Sequence, residues 1–328
     1  MIHDNMKLIN WGIIGCGDVT EKKSGPAFNK ISGSKLLAVM RRDGEKAADY
    51  AKRHNVPRWY DDADTLINDE DINAIYIATP PSTHAEYAIK AMRAGKPVYV
   101  EKLMAHTLAE CDAMLRVSEE TGMSLFVAYY RRSLPGFLLV KSMIEKGEIG
   151  KPLFVNIRLC RPANDAEKAD KAWRTKPEIS GGGIFHDLAS HQFDYLDFLF
   201  GEITEAKGVA TNNGGFYKAD DTVVASWKHK NGVVGSGSWC FVTSLDSRCD
   251  SVEIIGTEGR LVFSSFAHTP LRLFQNGEEK EISYEIPENI QYYLIKQIVE
   301  ELQEKGKCLS TAETAIRTNA VLEKIVNS

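Results

Sequence analysis

The sequence predicts an α/β protein built from a doubly wound parallel sheet followed by a second α/β domain with a mainly antiparallel open sheet. Three observations predict it. From Leu8 to about Val127, short apolar runs alternate with charged, Ala-rich stretches of helical spacing, as strands and crossover helices do in a parallel sheet. A glycine turn, Gly15-Cys16-Gly17, follows the first apolar run directly. After Tyr130 the pattern changes to a series of alternating strands divided by turn dipeptides.

In the first half the strands are expected at Ile9–Ile14, Lys35–Met40, Ala74–Ala78, Pro97–Val100 and Ser124–Ala128. Helices are expected over Gly44–His54, His84–Ala94 and Leu108–Thr121, where apolar residues recur on one face. A helix near Phe137–Lys146, a strand near Leu153–Leu159 and a glycine-opened helix over Gly183–Phe200 come next. Strands then fall at Glu205–Ala210, Thr222–Trp227, Val233–Cys240, Ser251–Ile255, Arg260–Phe263 and Leu271–Phe274, separated by Asn213-Gly214, Asn231-Gly232 and Glu258-Gly259. Helices around Ile290–Glu304 and Thr311–Val326 close the chain. With 328 residues available, this pattern places one domain over residues 1–124 and a second over 125–328.

Composition narrows the partners. A net charge of −5 speaks against nucleic acid, which draws affinity from clustered Lys and Arg. The apolar stretch after Lys7 is too short for a signal-peptide core or a membrane span, and no other segment is long enough either. Six cysteines are scattered without a CxxC pair, which points to reduced thiols and a cytoplasmic location. No His, Cys, Asp or Glu spacing matches a metal site, and no GxSxG elbow lies between a strand and a helix.

The glycine turn carries chemistry. Gly15 and Gly17 occupy the first two positions of the dinucleotide fingerprint of a Rossmann sheet, with Asp18 and Val19 opening the helix whose N-terminus faces the pyrophosphate. Thr20 stands where the third glycine is expected, which predicts slightly looser helix–strand packing. At the end of the second strand, Arg41 and Arg42 precede Asp43. Arginine there accommodates a 2′-phosphate, so NADP is the expected cofactor, with NAD the alternative if Asp43 turns inward.

Three further motifs occur in order: Ala78-Thr79-Pro80-Pro81-Ser82-Thr83-His84; Ala94-Gly95-Lys96-Pro97-Val98-Tyr99-Val100-Glu101-Lys102; and Gly181-Gly182-Gly183 followed by Asp187 and His191. With the glycine turn they resemble the Gfo/Idh/MocA oxidoreductases, which include glucose–fructose oxidoreductase and inositol dehydrogenase. The resemblance implies a Rossmann domain followed by a substrate domain whose open sheet frequently forms the subunit interface, making a dimer or tetramer the expected assembly. It also implies hydride transfer between the nicotinamide and a hydroxyl or carbonyl carbon of a sugar-like or polyol substrate.

On that resemblance Lys102 takes the lysine position of a Glu-Lys-Pro motif, with Glu101 before it and Leu103 in place of the proline, which leaves the local backbone geometry open. Thr79, Pro80 and His84 are expected beside the cofactor. Asp187 and His191, one helical turn apart, project from one face, and histidine titrates near neutrality. Lys102 and His191 are therefore expected as the acid/base pair, with Asp187 as orienter and substrate ligand. Tyr130, Arg131 and Trp173 are expected to line the substrate cleft; the family often has Asn where Tyr130 stands. Two other readings stay open: an NAD-retaining glycoside hydrolase of the same family, and a dinucleotide-binding sensor without catalysis.

Overall fold

A computed structural model gives the fold, and it describes residues 8–328. The expectation that the N-terminus is no leader falls partly on residues 1–7, outside those described. The chain forms two compact units: Met1–Tyr130 with Pro287–Ile316, and Arg131–Ile286 with Arg317–Ser328.

The first unit holds six parallel strands: β1 (Ile9–Ile14), β2 (Ser34–Met40), β3 (Arg58–Tyr60), β4 (Ala74–Ile77), β5 (Val98–Val100) and β6 (Leu125–Val127). Their spatial order, β3-β2-β1-β4-β5-β6, is that of a Rossmann sheet, and the chain reverses direction across it between β1 and β4. The crossover helices are α1 (Asp18–Lys22), α2 (Gly25–Phe28), α3 (Gly44–Arg53), α4 (Ala63–Ile67), α5 (His84–Arg93) and α6 (Leu108–Thr121). Local chemistry fixes their ends. Asp43 caps α3 by accepting from the Lys46 amide at 3.2 Å, Thr107 and Glu110 form a capping box on α6, and Gly122 stops α6 at φ +67°.

Both sheet faces are covered, which is why the strands are apolar throughout. On one face Ile75, Ile77, Val98, Val100 and Met104 pack with Ala88, Met92 and Met114. On the other, Trp11, Phe28, Tyr76 and Tyr99 pack with Leu294, Ile295 and Ile298. Those three come from α11 (Tyr292–Leu302), and each such fully buried side chain contributes roughly 1.5–3 kcal/mol.

The second unit carries α7 (Pro135–Glu145), α8 (Asp165–Lys168), α9 (Pro177–Ser180) and α10 (Gly183–Phe200). Its eight-stranded sheet runs β14-β13-β12-β11-β7-β10-β9-β8. These strands are β7 (Pro152–Cys160), β8 (Ile203–Thr211), β9 (Thr222–His229), β10 (Val234–Cys240), β11 (Cys249–Gly256), β12 (Gly259–Phe263), β13 (Leu271–Gln275) and β14 (Glu278–Ile282). All neighbours are antiparallel except β7 and β10. The α10 residues Phe185 and Phe193 pack edge-on against Trp239 and Trp227, respectively. The last helix, α12 (Ala312–Val326), contributes its first turn to the first unit and its remainder to the second.

The fold class is as expected, and the domain limits are corrected. β6 pairs with β5 through Val98↔Leu125 to Val100↔Val127, so residues 125–130 belong with the first sheet. Residues 287–316 also group there, because α11 covers Trp11 and Phe28 and Thr311 bridges to Phe126. Two edge strands were not expected: β3, three residues of Arg, Trp and Tyr, and β14, whose Glu278-Glu279-Lys280-Glu281 stretch has no apolar alternation.

Candidate active site

At the carboxyl edge of the first sheet, Gly15 adopts φ +91°. A Cβ there would lie 2.6 Å from Thr79 Cγ2 and 3.0 Å from the Thr79 nitrogen, so the turn can pass β4 only as glycine. Gly17 differs: its φ is −146° and the nearest heavy atom to an added Cβ is the Gly15 carbonyl oxygen at 3.9 Å. Nothing in the protein's own packing demands glycine at 17, and the backbone there is open to a ligand. Asp18 and Val19 begin α1, whose first amides have no intrahelical acceptor. The cradle therefore fits a dinucleotide pyrophosphate.

Thr20 does not loosen this turn. Its hydroxyl accepts from the Gly17 amide at 3.1 Å and donates to the Gly17 carbonyl at 2.8 Å. Close packing is supplied instead by Gly25, where a Cβ would meet both the Thr20 carbonyl and the Tyr50 hydroxyl at 2.3 Å. Burial pushes the Cys16 thiol up to about 11, with Arg41 pulling the other way, so the thiol in the turn stays protonated.

Arg41 is exposed and reaches back to the Cys16 carbonyl, which its Nη1 approaches at 3.4 Å. Arg42 is also exposed. Asp43 is engaged elsewhere: it caps α3 and pairs with Lys46 Nζ at 2.7 Å. The carboxylate that would take a ribose 2′-hydroxyl is thus committed to a helix end, while a guanidinium lies beside the turn.

After β4, Thr79 and half-buried Pro80 lead into a turn over Pro81–Thr83, where the Thr83 hydroxyl donates to Thr79 Oγ1 at 2.8 Å. His84 is fully buried, with Nε2 at 2.8 Å from the Thr79 carbonyl and Nδ1 at 2.7 Å from the Leu103 carbonyl. Burial lowers its pKa, and the two carbonyls with Glu101 oppose that. The ring ties the loop after β4 to the loop after β5. The Lys102–Leu103 peptide is cis, which answers the question left by the missing proline.

Glu101, the residue before Lys102, is buried. Its Oε1 accepts from the Tyr76 hydroxyl at 2.7 Å and from Gln291 Nε2 at 2.6 Å, and its Oε2 lies 3.3 Å from the Lys102 amide. Gln291 Oε1 in turn accepts from the Tyr99 hydroxyl at 2.6 Å, and the Gln291 amide donates to the Lys23 carbonyl at 3.1 Å. Asn289 donates to the Lys22 carbonyl at 2.7 Å. Sequence reasoning missed this segment, since an isolated Asn and Gln some 190 residues from Glu101 carry no motif. Tyr130 belongs to this unit and is half-buried against its Trp11–Tyr99 core.

In the second unit the glycine triple has φ values of +81°, +142° and +82°, and it delivers the chain into α10. His186 is buried with Nδ1 2.9 Å from the Gly182 carbonyl, a packing role. Asp187 accepts from Arg174 Nε at 3.1 Å, and that guanidinium stacks 4.6 Å from the half-buried Trp173 ring. His191, one turn further along α10, is buried at 4% exposure, with its ring 6.1 Å from that of Phe266. Arg131 is buried rather than open: its Nε donates to the Ser265 carbonyl at 2.9 Å, and its guanidinium lies 4.4 Å from the Phe266 ring. Below them, Arg132 binds both oxygens of the buried Asp194 at 2.8–3.0 Å and Asp197 at 3.1 Å, which anchors the middle of α10.

A sheet in this order, a glycine turn open at its second glycine, and a strand-end Glu-Lys pair define a dinucleotide-binding oxidoreductase. The comparisons with known proteins specify the class. Residues 9–129 match the model of an oxidoreductase family with an NAD-binding Rossmann fold, and residues 137–262 match the Gfo/Idh/MocA C-terminal domain. The chain belongs to the Gfo/Idh/MocA family. It is 41% identical over 293 residues to Oxidoreductase P35 of Formosa agariphila, covering 89% of this chain and 90% of that protein. To the NAD(+)-dependent scyllo-inositol 2-dehydrogenase of Bacillus subtilis it is 28% identical over 316 residues, covering 95% and 89%. Levoglucosan dehydrogenase solved with NADH shares the fold at a TM-score of 0.86 and 24% identity, covering 97% and 96%.

Proposed function

We propose that the protein is an NADP(H)-dependent dehydrogenase or reductase acting on a hydroxyl or carbonyl carbon of a sugar, cyclitol or related polyol. The observation that carries this reading is the open backbone at Gly17 with the Arg41 guanidinium beside it, in a family whose relatives include a scyllo-inositol dehydrogenase and a levoglucosan dehydrogenase. The amides at Gly17, Asp18 and Val19 would hold the pyrophosphate, with Thr79, Pro80, His84 and Glu101 shaping the adjoining wall. Arg41, with Arg42, would take the 2′-phosphate. When bound, the nicotinamide accepts or donates the hydride.

Oxidation of an alcohol releases a hydride from carbon and a proton from oxygen, so the protein must hold a proton acceptor. Lys102 and His191 are assigned that task, one binding the reacting oxygen and the other taking its proton. Asp187, held by Arg174, would receive a neighbouring substrate hydroxyl, and Tyr130, Arg131 and Trp173 would shape the substrate's surroundings.

The test is a fluorescence titration with NADPH and with NADH, followed by a hydride-transfer screen over sugars, inositols and their keto forms. NADPH binding tighter than NADH, with turnover on one of these, supports the reading; His191→Ala should then lose turnover and keep NADPH affinity. Equal affinity for the two cofactors removes Arg41 from its role. Cofactor binding with no turnover on any compound makes the protein a sensor, and glycoside cleavage without net cofactor reduction makes it a hydrolase.

No helix among the described residues is long and apolar enough to cross a membrane. A cytoplasmic location is supported by six cysteines that are all free thiols. A dimer or tetramer through the open sheet is supported by Val209 and Val224, register partners on β8 and β9 with 72% and 56% exposure. Light scattering of the protein and of a Val224→Asp variant checks the assembly; a monomeric native protein overturns it. Nucleic acid is no partner in this reading.

A further inference from the structure

The turn that follows β12 is held by more hydrogen bonds than a surface loop needs. Asp250 accepts from three consecutive amides, with Oδ1 2.8 Å from the Ser265 nitrogen and Oδ2 2.7 Å from that of Phe266 and 2.9 Å from that of Ala267. A buried relay grips the same turn from α10: Trp239 Nε1 donates to Gln192 Oε1 at 2.6 Å, and Gln192 Nε2 donates to Ser265 Oγ at 2.8 Å. Arg131 holds the Ser265 carbonyl, and Ser264 Oγ closes the loop by accepting from the Thr269 amide at 3.0 Å. The residue at the centre of this frame is Phe266, half-exposed, with the Arg131 guanidinium 4.4 Å over one face of its ring and the His191 ring beside it.

Carboxylate-to-amide bonds are strong and directional, and buried side-chain relays fix a single geometry. A half-exposed phenyl ring held so firmly next to a titratable side chain is a surface prepared for a ligand. Gln192 is the sequence neighbour of His191, so the relay sets α10 and the turn in one register.

We infer that Phe266 is a specificity-determining residue, the ring face turned away from Arg131 being the apolar wall against which a ring-form sugar or cyclitol lays its C–H face, and that Asp250 is the positioning residue that fixes it. This rests on the proposed function, because it takes His191 to lie at the reacting carbon. An open-chain polyol has no rigid C–H face to lay on the phenyl ring and should be indifferent to it.

The experiment measures binding of scyllo-inositol, levoglucosan and D-sorbitol to the NADPH-loaded protein by saturation-transfer NMR and calorimetry, with steady-state kinetics alongside. Phe266→Ala should weaken the two ring compounds by about tenfold, leave D-sorbitol within about twofold, and leave NADPH affinity unchanged. Asp250→Asn, which turns an amide donor toward backbone donors, should give the same selectivity loss while keeping the phenyl ring. Phe266→Leu serves where the alanine variant misfolds, and should fall between. Equal losses for ring and open-chain compounds, or no loss, overturn the role of Phe266 while the function stands. A native protein that binds no polyol overturns the function and this inference together.

Discussion

Replacing Gly15 and Gly17 one at a time by alanine separates a fold requirement from a ligand requirement in the same turn. At Gly15 the backbone sits at φ +91°, which costs an L-residue about 1–2 kcal/mol. The added Cβ also meets Thr79 Cγ2 at 2.6 Å and the Thr79 nitrogen at 3.0 Å. The methyl group can rotate away, but the nitrogen belongs to backbone held at the end of β4, so relief costs roughly another 1–2 kcal/mol. A loss of about 3 kcal/mol corresponds to a fall in Tm of about 6–12 °C for a unit of this size. The displaced turn should also weaken NADPH by at least about tenfold. At Gly17 the nearest atom is 3.9 Å away and φ is −146°, so alanine should leave Tm within about 1 °C. Its methyl group then stands where the pyrophosphate approaches the backbone, and NADPH affinity should fall by a similar factor. The assay is thermal unfolding without cofactor beside fluorescence titration with it. A Gly17→Ala protein that binds NADPH normally would refute the placement of the pyrophosphate. An unshifted Tm for Gly15→Ala would refute the steric argument.

Gln291→Leu strips hydrogen bonds from Glu101 and Tyr99 but leaves the backbone bond to Lys23; turnover should drop about tenfold with NADPH affinity within about twofold, and stopped-flow kinetics with titration check both. Arg53 holds the Glu21 carboxyl down at about 2 from its ordinary 4.5, with His54 assisting. Because the folded value is depressed, this contribution is present above pH 4.5 and is lost as pH falls toward 2. Partial exposure limits it to about 1 kcal/mol, measured as the urea-stability gap between the native protein and Glu21→Gln, which should close across that window. Arg132→Met leaves the Asp194 carboxyl buried without its guanidinium; a loss of about 3–5 kcal/mol is expected in chemical denaturation, and a loss under about 1 kcal/mol would show that the site relaxes.

Elements with strong periodicity were legible. β1, α6 and α10 fall where apolar spacing put them, because their local chemistry agrees with their burial. β3 and β14 were not, since an edge strand exposed on one or both faces needs no apolar alternation. Gly15, Gly17, Lys102, Asp187 and His191 stood out through motif order. Arg174 on Asp187, Asp250 under the Phe266 turn and Gln291 on Glu101 did not, because a long-range hydrogen bond leaves no trace in local sequence. The substitution of Thr20 for glycine suggested loosened packing, whereas its hydroxyl bonds to the turn itself and Gly25 takes over the close contact.

The return of residues 287–316 to the first unit has a consequence for biosynthesis. A ribosome delivers β1 through β6 first, but Trp11, Phe28 and Tyr99 stay without Leu294, Ile295 and Gln291 until the strands β7 to β14 have also been made. Until then that face of the sheet is covered by α2 and α3 but not by α11, and Glu101 has its Tyr76 hydrogen bond without the one from Gln291. A chain ending before this segment carries the complete glycine turn and lacks both the α11 packing on Trp11 and the Gln291 hydrogen bond to Glu101.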